Sequence, residues 1–228
     1  MSIEGGMKTI ADGLVFYIDP ADKKSYIGSG SSVKDLSGYK NDITLYGGYS
    51  FSTDGGGSID LDGINGYGDA PDSASLDLGV AWTIVCWVKR EGPPDSANSS
   101  KIVSKWENYF LAIDDVDLYG CVGTSSAHTC NASGRDTPLP LNEWSYLVFK
   151  YSESGGIATL YLNNVLAHTV TAGATGPSNY KLTLGSPHSG IVNQYFNGKM
   201  SIVQVYNREL TFAEIRKKYN ATKGRFGK

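Results

Sequence analysis

The chain of 228 residues carries 20 Lys and Arg against 23 Asp and Glu, a net charge of −3, and is 40% hydrophobic. That balance fits a soluble globular unit, excludes a disordered or membrane-embedded chain, and offers no basic stripe to displace counterions from nucleic acid. The 28 glycines and 15 tyrosines point to many tight turns between aromatic-rich strands and exclude an all-helical protein.

The opening MSIEGGMKTIADG lacks a basic region followed by about 7–15 apolar residues, so it does not read as a secretory signal. The expectation is a product made in a cytoplasm, with no membrane partner. From residue 13 onward short apolar or alternating runs recur roughly every ten residues between Gly, Asn, Asp, Ser and Pro, the pattern of a β-sandwich. Strands are expected over 13–18, 43–45, 58–61, 82–89, 101–106, 109–113, 118–122, 144–151, 157–162, 165–170, 181–184 and 198–206. In the run from Trp82, one face carries Trp82, Ile84, Cys86 and Val88 and the other Thr83, Val85, Trp87 and Lys89. With both faces largely apolar, this strand is expected inside a two-layer stack. Residues 157–170 read as a hairpin, because Asn163 and Asn164 tolerate the positive φ of a type I′ turn.

One helix is expected near the end. Thr211 and Glu214 form a capping box, Leu210 and Ile215 a hydrophobic staple, and Phe212, Ile215 and Tyr219 line one face, with Gly224 as the stop. The three histidines read as surface residues, His128 and His188 in loops and His168 in a hairpin strand. Cys121 and Cys130 flank a small-residue loop that would let them pair, yet a chain without a leader is expected to keep free thiols. No C-x₂₋₄-C spacing supports zinc. The simplest division is an N-terminal extension (1–12), one jelly-roll domain (13–220) and a basic C-terminal tail (221–228).

Four segments in order carry a resemblance. Gly13-Leu-Val-Phe-Tyr-Ile-Asp with Asp35-Leu-Ser-Gly-Tyr-Lys-Asn, then Ile59-Asp-Leu-Asp-Gly-Ile-Asn-Gly-Tyr, Trp82-Thr-Ile-Val-Cys-Trp-Val, and the run from Gly198 to Thr211 resemble the laminin-G-like, concanavalin A-like jelly rolls of tailed-phage virion proteins. The resemblance covers residues 13–226. It implies an all-β jelly-roll β-sandwich of two antiparallel sheets with one short C-terminal helix. Gly68 stands where relatives tend to carry a β-branched residue and is expected to loosen its strand.

Function does not follow from such a fold. Glycosidases of this class need paired carboxylates on one strand, and the seven Glu (4, 91, 107, 143, 153, 209 and 214) are scattered singly. Asp60 and Asp62 alternate along a strand and read as a solvated edge. No G-x-S-x-G elbow is present. A non-enzymatic protein is therefore expected. No cofactor is called, although the loops 60–69 and 114–117 hold oxygen-bearing residues of the kind calcium uses. Trp106, Tyr109, Tyr119 and Tyr195 are the candidates for stacking on sugar rings. Residues 208–228 hold seven Lys or Arg and two Glu, a net +5 that leaves −8 for the first 207. Lys223, Arg225, Phe226 and Lys228 are accordingly candidates for docking a partner.

The resemblance implies a virion structural protein, a capsid decoration domain whose partners are phage capsid or other virion proteins. The alternatives are a host-surface glycan binder on a tail fibre or capsid and, more remotely, a glycoside hydrolase. Assembly as a homo-oligomer is left open.

Overall fold

The computed structural model describes residues 10–93, 99–124, 127–130, 136–186 and 194–228, with the side chains of 124 and 127–130 outside that description. The strands are β1 (Leu14–Ile18), β2 (Ser32–Val33), β3 (Ile43–Tyr46), β4 (Tyr49–Ser52), β5 (Ser58–Asp62), β6 (Tyr67–Ala70), β7 (Ala81–Arg90) and β8 (Ser99–Lys105). They continue as β9 (Tyr109–Asp114), β10 (Asp117–Thr124), β11 (Ala127–Cys130), β12 (Trp144–Ser152), β13 (Ile157–Leu162), β14 (Val165–Thr171), β15 (Leu182–Leu184) and β16 (Asn197–Tyr206). One helix follows, α1 (Phe212–Thr222), running into a 3-10 turn, Lys223–Phe226.

The strands form two antiparallel sheets. Sheet A has the order β14-β13-β12-β7-β16-β5-β4, with β1 also paired to β16. Sheet B has the order β11-β10-β9-β8-β15-β6-β3-β2. Each expected strand is present, and the long alternating ones deviate only at their ends, because side chains that alternate between core and outside fix the register.

The space between the sheets holds the main core. Trp82, Ile84, Cys86 and Val88 of β7 meet Tyr109, Leu111 and Ile113 of β9 and Leu118 and Val122 of β10 there, all essentially buried. The opposite face of β7 has a different fate from the one expected. Val85 and Trp87 join Trp144, Tyr146 and Val148 of β12 and Ile202 of β16 in a second cluster under α1 and the 3-10 turn. The apolar outer face is thus covered by the C-terminal segment, which makes a third layer over part of sheet A.

Local signals hold at both ends of the chain's hairpin and helix. Asn163 and Asn164 take φ values of 50° and 66°, and the Tyr146 amide donates to Asn163 Oδ1 at 2.9 Å. The Thr211 side chain accepts from the Glu214 amide while Glu214 reaches back to the Thr211 amide. The α-helix ends at Thr222, with Lys223 as its cap directly before Gly224. The chain tightens into the 3-10 turn and ends on Gly227, whose φ of 70° suits a residue without Cβ. Gly68 is a fitted position, not a loose one: a Cβ there would lie 2.6 Å from Ile43 Cγ2.

The cysteine expectation is corrected. Cys86 is free and buried, but Cys121 is disulfide-bonded. β10 and β11 form a hairpin in which Cys121 and Cys130 are directly opposite. Opposed residues in an antiparallel pair have Cα atoms about 4.5–5.5 Å apart, within the range a disulfide spans. His128 lies in β11 rather than in a loop, and His188 lies outside the described residues.

Candidate functional site

The outward face of sheet B carries a row of polar and aromatic side chains. The ladder registers place Thr44, Asp69, Thr183, Ser104, Phe110 and Cys121 in one transverse row. Because side chains alternate, a whole row shares one face, and the neighbouring core residues Leu45, Ala70, Leu182, Val103 and Leu111 point the other way. Two aromatic groups flank this row.

The first lies at the β3, β6 end. Tyr46 and Tyr67 are cross-strand partners, stacked at 5.0 Å and 22°, and the Tyr195 ring sits 6.2 Å from Tyr67. Tyr46 is 38% exposed, and Tyr67 and Tyr195 are half-buried. Beside them Lys181 Nζ, on a side chain 40% exposed, pairs with the buried Asp69 carboxylate at 2.9 Å. Burial raises the Tyr67 hydroxyl pKa, and the Asp69 charge adds to the shift. The hydroxyl therefore stays protonated and able to donate at neutral pH.

The second group lies over β8–β10. Trp106 stacks on Phe110 at 5.8 Å and 10°, and Phe110 meets Tyr119 edge-on at 5.8 Å. The buried Lys101 ammonium lies 4.7 Å from the Phe110 ring centroid and donates to the Tyr119 hydroxyl at 2.8 Å. This group is mostly enclosed, with Phe110 and Tyr119 at 5% and 7% exposure and Trp106 half-buried.

A knot of hydrogen bonds fixes the loops next to these groups. The Lys105 side chain is wholly buried, and its ammonium meets Asp72 Oδ1 at 2.6 Å and Asp77 Oδ1 at 3.2 Å. It also donates to the Ser178 and Tyr180 carbonyls at 2.8 and 2.6 Å. Two loops, one before β7 and one before β15, are thereby tied to the end of β8. Four oxygens around one cation is an arrangement that a hard metal ion also favours; here the chain's own ammonium fills it.

Of the sequence candidates for glycan contact, Trp106 and Tyr119 come together in the enclosed group and Tyr195 joins the open one. Tyr109 is corrected: it is fully buried between the sheets, 5.4 Å from Trp82, because residues 109, 111 and 113 of its strand share the core face. Tyr46 and Tyr67 were not among the candidates. Their only sequence signal is a pair of tyrosines set in glycine, Tyr46-Gly-Gly and Gly66-Tyr-Gly, which reads as turn chemistry.

The docking candidates of the tail meet their own domain. Phe226 is 5% exposed and stacks on Trp87 at 4.2 Å. Arg225 pairs with Asp19 at 2.8 Å and donates to the Gly55 and Gly57 carbonyls and to Ser201 Oγ. Lys228 pairs with Glu143 at 3.0 Å, and Lys223 lies over the Tyr219 ring. The +5 balance of the C-terminal stretch is partly neutralised at home.

The acidic candidates are likewise engaged. Asp60 pairs with Lys199 at 3.1 Å. Asp62 Oδ1 accepts from the amides of Ile64, Asn65 and Gly66, which lowers its pKa against the opposing effect of burial. Asp115 sits at a hairpin tip with φ of 54°. Among the described residues no three His, Cys, Asp or Glu side chains come together as a metal site would require, and no helix is long and apolar enough to cross a membrane.

Two antiparallel sheets, a shared core and an aromatic, polar outer face define a lectin-like jelly roll. Residues 62–216 match the Laminin_G_3 model, described as the concanavalin A-like lectin/glucanases superfamily, and the chain belongs to that family. A search of curated protein sequences finds no match. Among solved structures, the binding domain of Paraclostridial Mosquitocidal Protein 1 superposes with a TM-score of 0.68 at 15% identity, covering 93% of this chain and 53% of that one. Botulinum neurotoxin type C, whose passage into cells depends upon interaction with two ganglioside molecules, gives 0.72 at 12% identity, covering 93% and 52%. Domain 4 of AbnA, an extracellular arabinanase from Geobacillus stearothermophilus, solved with arabinotriose, gives 0.68 at 16% identity, covering 92% and 98%. The chain spans about half the length of the toxin chains and nearly all of the arabinanase domain. At these identities the likeness is one of fold.

Proposed function

We propose that the protein is a non-catalytic carbohydrate-binding module, and that glycan is held on the outward face of sheet B at Tyr46, Tyr67 and Tyr195. The observation that carries this reading is the open aromatic group itself: rings at 5.0 and 6.2 Å spacing beside the Asp69–Lys181 pair. Aromatic faces supply sequence-tolerant stacking surface for a sugar ring, and the adjacent charged pair supplies hydrogen-bond donors and acceptors for its hydroxyls. Structural neighbours whose descriptions name an arabinotriose complex and ganglioside interaction support it. The engaged states of Asp60 and Asp62 support the absence of a glycosidase acid pair.

A glycan array tests the reading. A selective glycan class is expected, with Tyr67→Ala weakening it at least about tenfold, equivalent to about 1.4 kcal/mol, while Tyr67→Phe keeps the ring and most of the affinity. An array with no selective binder would overturn the proposal, and release of reducing sugar from a bound glycan would overturn its non-catalytic part. The virion setting implied by the sequence resemblance enters as a place of display, on a capsid or tail. Presence of the chain in purified particles supports that setting; absence from them removes it and leaves the glycan site to the array.

A further inference from the structure

The other outer face holds a second concave feature. Where α1 crosses sheet A, a cleft of about 850 Å³ remains between the helix and strands β1, β7 and β16. Val85, Trp87 and Ile202 are buried side chains that line it, and Lys217, Lys218 and Arg225 border it from the C-terminal segment. A space of this size, with an apolar lining and a few converging polar groups, has the dimensions of a small-molecule site.

Two polar groups border the cleft with part of their hydrogen-bonding capacity unused among the described residues. Lys218 forms no ion pair among the described residues; its Nζ donates to the Tyr206 hydroxyl at 2.7 Å, and burial lowers its pKa to about 8 against the opposing charge of Glu214. Gln204 is only 4% exposed, and the one side-chain hydrogen bond it makes among the described residues is a long one, from the Tyr206 hydroxyl to Oε1 at 3.5 Å. Its amide nitrogen has no acceptor among the described residues. The half-buried Lys218 ammonium and the Gln204 amide lie on neighbouring elements and share the Tyr206 hydroxyl between them, and a carboxylate in the cleft would accept from both. Arg225 does not compete for it, being paired with Asp19.

We propose that this cleft binds a small amphipathic carboxylate, its apolar body over Val85, Trp87 and Ile202 and its carboxylate held by Lys218 and Gln204. The site is separate from the glycan face and does not rest on that reading.

Octanoate, acetate and 1-octanol titrated into the full chain by calorimetry separate head from body. One octanoate per chain is expected, with 1-octanol at least about tenfold weaker and acetate showing no heat. Lys218→Met, which keeps the side-chain length, is expected to weaken octanoate at least about tenfold. Ala221→Phe, which fills the cleft from α1, is expected to abolish binding, and Tyr67→Ala to leave it unchanged. Affinity is expected to fall as pH rises above about 8, where Lys218 loses its proton. The charged group whose field reaches that ammonium is Glu214, itself paired with Arg208, while Lys217, Asp19 and Arg225 border the same cleft. From the sheet, the Tyr206 hydroxyl accepts from it at 2.7 Å and the Tyr206 ring lies 5.0 Å from it. No saturable octanoate binding, or 1-octanol binding as tightly as octanoate, would overturn the proposal. So would an affinity unchanged in a folded Ala221→Phe chain. If that variant fails to fold, Lys218→Met and the octanoate-to-octanol ratio in the unaltered chain decide.

Discussion

The two sheets of this sandwich share a core but treat their outer faces in opposite ways. Sheet A turns out Val85, Trp87, Tyr146, Val148 and Ile202, side chains that water would leave costly, and the C-terminal helix and 3-10 turn close over them. Sheet B turns out Tyr46, Tyr67 and Asp69 at one end, where no helix among the described residues covers them; Tyr46 and the neighbouring Lys181 stay reachable, and Asp69 is buried beneath its ion pair. The difference lies in what the outward positions carry, not in the architecture. An aliphatic and Trp-rich face needs a lid; a Tyr-rich face with an ion pair has polar tips and stands in water without one.

The largest expected effect comes from lifting that lid. Phe226→Ala removes a ring that is 5% exposed, stacks on Trp87 at 4.2 Å and touches Trp144 at 4.9 Å. Removal of such a buried ring costs about 3–5 kcal/mol. Urea unfolding is expected to show a loss of about 4 kcal/mol for Phe226→Ala and less than about 1 kcal/mol for the half-exposed Tyr67→Ala. Equal losses for the two would erase the contrast between a covered face and an open one.

How far each face was legible in the sequence follows from how local its signals are. β7 could be read as a strand apolar on both faces, because the alternation from Trp82 to Lys89 is local, but the C-terminal segment that covers its outer face could not. The Asn163-Asn164 turn and the Thr211/Glu214 cap depend on atoms within a few residues and were equally readable. β2 is two residues long, and β6 carries Gly68 and Asp69 among its four, so neither has a strand pattern; they exist because β3 lies alongside. The open tyrosine group is non-local for the same reason, since Tyr46 and Tyr67 become neighbours only through the β3–β6 ladder. Lys223-Gly-Arg-Phe-Gly-Lys reads as a free tail because its glycines and charges describe solvent, while Trp87, the partner of Phe226, is far away in the chain. Tyr109 is the exception: its alternation with Leu111 and Ile113 was available and marks it as core.

A middle-sized effect is expected on the sheet B side. Lys105→Met leaves Asp72 and Asp77 without their shared cation and removes the ammonium's bonds to the Ser178 and Tyr180 carbonyls. Breaking a buried pair from one side costs about 3–5 kcal/mol. Asp72 and Asp77 retain access to water, with side chains 40% and 24% exposed, so about 3 kcal/mol is expected by denaturant unfolding. Glycan affinity should fall by less than it does for Tyr67→Ala, because the tied loops support the face without supplying its rings. A loss of affinity larger than that of Tyr67→Ala would move the binding surface from the tyrosines to the loops.

The smallest effect concerns how the lid is started. Glu214 takes both nitrogens of Arg208 at 2.7 and 3.1 Å and accepts from the Thr211 amide at 2.8 Å. The Arg208 pair first, and the Thr211 bonds after it, hold the carboxylate at a pKa of about 2 against its ordinary 4.5, with burial opposing. The unfolded chain therefore binds its proton at higher pH than the folded chain does. The stabilisation is fully present above about pH 4.5 and is lost as pH falls toward 2. Glu214→Gln keeps an acceptor for the cap and removes only the charge, so it is expected to cost about 1 kcal/mol at pH 7 and almost nothing at pH 2. Urea midpoints measured from pH 7 down to pH 2 should converge for the two chains across that window. Parallel curves would mean that the cap, and not the Arg208 pair, holds the first turn of the helix over sheet A.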